Sequence, residues 1–344
     1  MKKYIMSYPL YKNYYTFDLN RVLWLSKHIK SKFIFYKPDE IKSKIYKSCL
    51  NLRDINKYKS WGFVLLEDNP EDNKELNYLT DYFTLEERIK ASFINYDSPL
   101  EYFEKNKEEI IKEINEDNNL SLKSVNDITT LKEWFLFDKY MFDHVRFTNN
   151  FRISVILKIL DIFKPTKWLD ISSGWGDRLI SAILSPTIQK YYSTDPNLDL
   201  HKHYREIIKK FNVSKDDYKI KKSGFEKIKI KNYDYDFIFS SPPFFKTEKY
   251  SDYPDDSLVN YNTEKDWYEN FLLFSIVKAL KHLKVNCFFL LNMKFFSKKD
   301  SYLSNKRLID DLNKIECLKN CGSIYYYNHH NYKPREIFIF KKIK

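Results

Sequence analysis

The sequence predicts an α/β protein built on a largely parallel sheet covered on both faces. Three observations predict it. Beyond about residue 147, apolar runs of strand length alternate with stretches of helical period. Two of only five glycines in 344 residues sit two apart, in Asp170-Ile171-Ser172-Ser173-Gly174-Trp175-Gly176, directly after one such run. A later run, from Tyr235 to Ser240, ends in Ser241-Pro242-Pro243-Phe244. Parallel sheets of this kind bind ligands beyond the carboxyl ends of their strands, where both motifs fall.

The elements follow in order. Residues 1–128 read as a mixed α/β region, with strands expected at 32–36 and 61–66. Ser98-Pro99-Leu100-Glu101 is a helix start: Ser98 caps, Pro99 suits the first turn and Glu101 completes a capping box. Leu100, Phe103, Ile110, Ile111 and Ile114 form its apolar stripe, and Asn118-Asn119 ends it. A second helix is expected over 130–142. A helix over 149–163 then leads into a buried strand at 167–172. Strands at 190–195, 218–223, 235–241 and 286–293 follow, separated by helices near 177–184, 198–211 and 264–283. The chain closes in a hairpin of 323–327 and 336–340 around a His/Asn/Pro-containing turn. The long polar stretch 246–263 is expected to be a structureless lid over the site.

Composition narrows the function. A hydrophobic content of 43%, with 28 Tyr and 27 Phe, supports real cores. Lys and Arg outnumber Asp and Glu by 59 to 47, giving +12. Eleven of those cations stand against four acids between Lys202 and Lys231. Such a surface attracts phosphate backbones, so nucleic acid is the expected partner. Four cysteines make no disulfide scaffold, and no apolar run approaches membrane-spanning length. The start, Met1 to Met6, lacks the apolar core of a signal segment. These features predict a soluble intracellular protein with no membrane partner. Cys317-x₃-Cys321 with His329-His330 lacks the paired spacing of a zinc site, so no metal is expected.

The glycine loop and the strand after it suggest a ligand. Gly174 and Gly176 let the chain turn without a Cβ in the way. Asp170 and Ser172 can present polar groups to a cationic or amine-bearing ligand. Asp195 closes the next strand, in Tyr191-Tyr192-Ser193-Thr194-Asp195-Pro196-Asn197, where a carboxylate can accept from both hydroxyls of a ribose. A nucleoside-containing cofactor fits that pair. The loop lacks the third glycine of a dinucleotide fingerprint and is not a P-loop.

Over about residues 145–344 these features resemble class I methyltransferases that use S-adenosyl-L-methionine. The resemblance implies a Rossmann-like, seven-stranded sheet ending in an antiparallel strand. It implies a methyltransferase domain at 129–344, with 1–128 as an accessory, substrate-recognising region. Asp170, Ser172, Gly174 and Gly176 would face the methionine end of the cofactor, and Asp195 would hold the ribose. Ser223, Gly224 and Phe225 would flank the adenine, with Phe225 stacking on it. Arg146 or Arg152 would pair with the cofactor carboxylate, or else form surface salt bridges. Asp177 and Arg178 can pair locally.

Ser241-Pro242-Pro243-Phe244 resembles the (Asp/Asn/Ser)-Pro-Pro-(Tyr/Phe/Trp) signature of amino-group methyltransferases. An exocyclic base amine is a poor nucleophile because its lone pair is delocalised into the ring. Acceptors at Ser241 Oγ and the Pro242 carbonyl can hold the amine hydrogens and turn the lone pair toward the methyl donor. Pro242 and Pro243 stiffen the loop and remove competing N–H donors. Phe244 can stack on the base. The resemblance implies methyl transfer to adenine N6 in DNA or RNA. Cytosine N4, a protein amide, or a catalytically weak nucleic-acid-binding subunit stay open, because Ser replaces the more usual Asp or Asn.

Overall fold

A computed structural model describes residues 8–29, 32–36, 63–67, 73–293, 295, 301–327 and 334–344. Helix α1 (Leu19–Lys27) and strands β1 (Lys32–Tyr36) and β2 (Phe63–Glu67) open the chain. Helix α2 (Leu79–Arg88), strand β3 (Ser92–Phe93) and helices α3 (Pro99–Asn118) and α4 (Leu131–His144) follow. Ser98 and Glu101 form the expected capping box, and Asn119 ends α3 in the left-handed conformation at φ 52°. Thr130 and Glu133 cap α4 in the same way.

The alternating half then begins. It runs α5 (Ile153–Phe163), β4 (Lys167–Leu169), α6 (Asp177–Leu184), β5 (Lys190–Thr194), α7 (Leu200–Lys210), β6 (Tyr218–Lys221) and β7 (Tyr235–Ser240). After the two-residue strand β8 (Glu248–Lys249), helix α8 combines Glu264–Asp266, a π-helical segment Trp267–Leu273 and Phe274–Leu280. Strand β9 (Leu283–Asn292), helix α9 (Asn305–Asn313) and the hairpin β10 (Leu318–Tyr327) and β11 (Pro334–Lys342) complete the fold. Helix α5 starts later than residue 149 because the Phe151 N–H is donated to Asp177 Oδ2 at 3.0 Å, which keeps 149–152 extended.

The strand order is β1-β2-β10-β11-β9-β7-β4-β5-β6. Strands β9, β7, β4, β5 and β6 are parallel, and β11 runs antiparallel between β9 and β10. The seven strands from β10 to β6 are the expected Rossmann-like set, ending in an antiparallel strand. The described sheet has nine strands rather than seven, because β2 pairs in parallel with β10 and β1 pairs antiparallel with β2. The first region thus extends the sheet instead of standing beside it.

One sheet face packs Ile156, Ile159 and Leu160 of α5, Leu179 and Ile180 of α6, and Tyr204 and Ile207 of α7. The other packs Trp267, Leu272 and Ile276 of α8 with Leu308 and Leu312 of α9. A third cluster joins Tyr8, Tyr11, Phe103, Ile110, Trp134, Phe137 and Met141. Helix α4 lies past residue 128 yet packs in this third cluster, whereas Val22, Leu79 and Phe83 pack with the sheet. The two regions therefore interlock across residue 128.

The polar stretch 246–263 is not structureless, contrary to expectation. Strand β8 pairs with β3, Phe93 opposite Glu248, and the Ile94 N–H is donated to the Thr247 carbonyl at 3.1 Å. Asp256 accepts from the Leu258 N–H at 2.9 Å and the Ser251 hydroxyl at 2.8 Å, capping a short turn of helix. Glu248, Asp256 and Ser257 are buried. The segment is pinned at β8 by β3 and at Asp256 by this cap, and these two points set its buried residues against the cavity. Among the described residues no helix is long and apolar enough to cross a membrane.

Candidate active site

A cavity opens beyond the carboxyl ends of β4, β5 and β7. Strand β4 has β5 on one side and β7 on the other, so the chain reverses direction across the sheet here. That reversal leaves a crevice. Ser172, Gly174, Asp195, Phe225, Ser241, Pro242, Pro243 and Phe244 all line the cavity. The two motifs, 65 residues apart from Gly176 to Ser241, thus share one space. Asp170, Gly176 and Ser223 stand outside the lining.

Asp170 is fully buried behind the loop. Its carboxylate receives Arg178 Nε at 2.8 Å, the Tyr191 hydroxyl at 2.7 Å and the Ser172 N–H at 3.2 Å. Arg178 also contacts Asp177 at 3.4 Å and donates to the Ser172 carbonyl. The Asp177–Arg178 pair is therefore local, as expected, and extends to Asp170. Burial works against the Arg178 charge, but Asp170 and Asp177 outweigh it and push its pKa up. Burial pushes the Asp177 carboxyl up, partly offset by Arg178. Asp170 thereby holds the loop in shape from below.

The two glycines do different work. Gly174, at φ +61°, gives its N–H to Asp195 Oδ2 at 2.9 Å and receives the Tyr204 hydroxyl on its carbonyl. Gly176, at φ +91°, faces helix α7: a Cβ there would meet Ile207 Cδ1 at 3.1 Å and Tyr204 at 3.6 Å. Its bareness lets α6 and α7 approach, and the ligand side gains nothing from it directly.

Asp195 is buried and accepts from the Gly174 N–H and, at 2.9 Å, the Asn197 N–H. Burial pushes its carboxyl up to about 7, with these hydrogen bonds pulling the other way. The Tyr204 hydroxyl pulls it down as well, so four lone-pair sites on a carboxylate leave one for a ligand. Phe225 is buried, and Gly224 beside it also lines the cavity.

On the opposite wall, Asn292 Nδ2 donates to Ser241 Oγ at 2.9 Å, and the Ser172 hydroxyl donates to the Ser241 carbonyl at 3.1 Å. Ser241 therefore keeps its own proton to give and a lone pair to accept with. Among the described residues nothing is donated to the Pro242 carbonyl. Phe244 is half-buried.

Sequence reasoning missed several residues of this wall. Asn292 ends β9 as Asp195 follows β5, so a polar residue closing an apolar strand was the available signal. Glu248, Tyr250, Asp256 and Arg335 also line the cavity, and nothing in their sequence surroundings marks them. Burial pushes the Glu248 carboxyl up, while the Tyr250 hydroxyl, the Arg335 charge and the Asn149 N–H pull it down. Neither Arg146 nor Arg152 lines the cavity; Arg335 brings a guanidinium there instead.

One described cluster has the donors for a metal, Glu86, Glu87 and His203. Lys90 at 2.7 Å and Lys202 at 2.9 Å already neutralise Glu87, so the cluster works as an ion-pair network between α2 and α7. Cys317 and Cys321 are free thiols, and His329 and His330 lie outside the described residues.

No protein-family model matches the chain, and no curated protein matches it. Solved structures do. A candidate methyltransferase from Streptococcus mutans, in complex with SAH, is 12% identical over 55% of this chain and 97% of its own, with a TM-score of 0.37. An rRNA methylase from Streptococcus thermophilus is 9% identical over 55% of this chain and 96% of its own, at 0.36. TrmN from Thermus thermophilus is 12% identical over 56% of this chain and 49% of its own, at 0.40. Likenesses this distant carry no weight on substrate or residue roles.

Proposed function

We propose that the chain is an S-adenosyl-L-methionine-dependent methyltransferase acting on an exocyclic amine of a nucleic-acid base, adenine N6 in DNA or RNA. One observation carries the reading. Asp195, a buried carboxylate with acceptor capacity left, opens into the same cavity as Ser241-Pro242-Pro243-Phe244.

The residues present fit the cofactor. Asp195 would accept from the ribose, Phe225 would pack against the adenine, and Gly174 would leave room for the chain between them. Asp170 positions that loop through Arg178. When bound, the cofactor supplies an electrophilic methyl on a sulfonium. Ser241 Oγ and the Pro242 carbonyl accept the two amine hydrogens, and Phe244 stacks on the ring. Asn292 fixes the Ser241 hydroxyl. These contacts would aim the nitrogen lone pair at that methyl, and the proton the amine gives up on gaining it would pass to water. Rate gain comes mainly from positioning.

A second reading is cytosine N4, supported by the neutral Ser241 with Phe244 at the fourth place. On either reading the first region recognises substrate, and the setting is intracellular. Calorimetry with S-adenosyl-L-methionine tests the cofactor half. Transfer of a labelled methyl group to separate DNA, RNA and protein substrates tests the acceptor half. No binding of the cofactor would end the proposal; label entering protein alone would remove the nucleic-acid part.

A further inference from the structure

Three chain segments meet where the cavity wall reaches solvent. The Ile94 N–H is bonded to the Thr247 carbonyl, and β3 pairs with β8 beside it. Asn149 faces the Glu248 carboxyl closely enough to lower its pKa. Asn149, Phe244 and Glu248 line the cavity. So residues 92–96 and 146–149 are held against the loop that carries the reaction motif.

At this junction lies an exposed aromatic. A tight turn, with Asn95 at φ 69° and the Tyr96 N–H on the Phe93 carbonyl, presents Tyr96 outward at 53% exposure. The Arg146 guanidinium covers one face of its ring at 4.4 Å from the centroid. More than half of the residue is left to solvent. Lys246, exposed in the adjoining loop at φ 46°, adds a second cation beside Phe245. Among the described residues neither Arg146 nor Lys246 is paired with a carboxylate. A half-open ring backed by a guanidinium, with a spare cation alongside, suits a stacked base and its phosphate.

We propose that Tyr96 and Arg146 form a stacking site for the nucleotide next to the one being methylated, in a single-stranded stretch of DNA or RNA. The site rests on the nucleic-acid reading above. It gives the first region a defined contribution: its turn after β3 supplies the ring, and the segment after α4 supplies the guanidinium.

The test measures fluorescence anisotropy of labelled single-stranded DNA and RNA oligonucleotides of mixed sequence, with a duplex as third probe. The proteins are the full chain and its Tyr96→Ala, Tyr96→Phe, Tyr96→Leu and Arg146→Ala variants, each checked by its affinity for S-adenosyl-L-methionine. The expected result is single-strand binding weakened about tenfold in Tyr96→Ala, by loss of one stacked base. Tyr96→Phe should stay near the parent, Tyr96→Leu and Arg146→Ala should be intermediate, and cofactor affinity should be unchanged throughout. Parent-like oligonucleotide affinity in both Tyr96→Ala and Arg146→Ala would overturn the site and leave the nucleic-acid reading standing. A parent chain that binds cofactor but none of the three probes would overturn both. Preference for the duplex, unaffected by these variants, would also overturn it.

Discussion

The two walls of the cavity are built by opposite means. The wall after β4 and β5 is a lattice of buried charge: Asp170, Arg178 and Asp177 interlock, and Asp195 is tied to Gly174 and Asn197. The part of the wall after β7 and β9 that carries the reaction motif is neutral, with a hydroxyl, an amide and two prolines in the places where the first has ions, and the charged Glu248, Asp256 and Arg335 line the cavity outside that motif. Buried ions hold a shape rigidly but leave large penalties if one is lost. Neutral hydrogen bonds cost little to remake. The first wall therefore suits a cofactor of fixed shape that must be gripped alike in every turnover. The second suits an acceptor group that arrives, changes by one methyl and leaves.

Breaking the charged wall should have the largest effect. Arg178→Ala strands Asp170 and Asp177 without their counter-ion and is expected to lower stability by about 3–5 kcal/mol. Thermal unfolding would show it, with Arg178→Lys keeping part of the loss at bay. Parent-like stability in Arg178→Ala would mean that the lattice is not what holds the loop.

Next comes the ligand-facing member of that wall. Asp195→Ala should weaken cofactor binding by about 10- to 100-fold, the scale of a hydrogen bond to a charged group, about 1.5–3 kcal/mol. Calorimetry reads it directly. Its pH dependence sharpens the point. The folded carboxyl titrates near 7, above its ordinary value. Whatever stability its protonated form contributes is complete below about pH 4 and is lost as the pH rises through 7. Cofactor binding should run the other way, tightening toward pH 7 and levelling above it, because the ribose needs the carboxylate. Asp195→Asn should flatten that profile.

The neutral wall should respond through turnover. Phe244→Ala is expected to reduce kcat by roughly 5- to 100-fold, from about 1–3 kcal/mol of lost stacking, with cofactor affinity little changed. Asn292→Ala should be the mildest, costing about 1 kcal/mol of stability for one neutral hydrogen bond and lowering kcat, with cofactor affinity little changed. If Asn292→Ala destabilised the protein as much as Arg178→Ala, the contrast between the walls would fail.

Much of this was legible in the chain, and the reason differs by element. Strands and helices of the second half announced themselves because a strand buried on both faces must be continuously apolar. The Ser98 cap was legible because capping is a local transaction among four residues. Local rules could not say that Asp170 would turn to Arg178 and Tyr191, since β4 and β5 first have to pair. Glu248 was hidden for the same reason. A glutamate in a polar stretch reads as solvated until β3, from a region more than 150 residues earlier, comes to cover it. Sheet width escaped too, because nothing within β2 says which edge it will join.

That joining has a practical meaning for anyone who would trim the molecule. Removing residues 1–128 to obtain a minimal catalyst would strip β2 from β10 and leave the backbone at Ile324, Tyr325 and Tyr326 without its neighbour. A bare, apolar sheet rim is a template for adhesion between molecules. The shortened product should form insoluble aggregates when overproduced, and a soluble version would need charged residues or proline written into that rim.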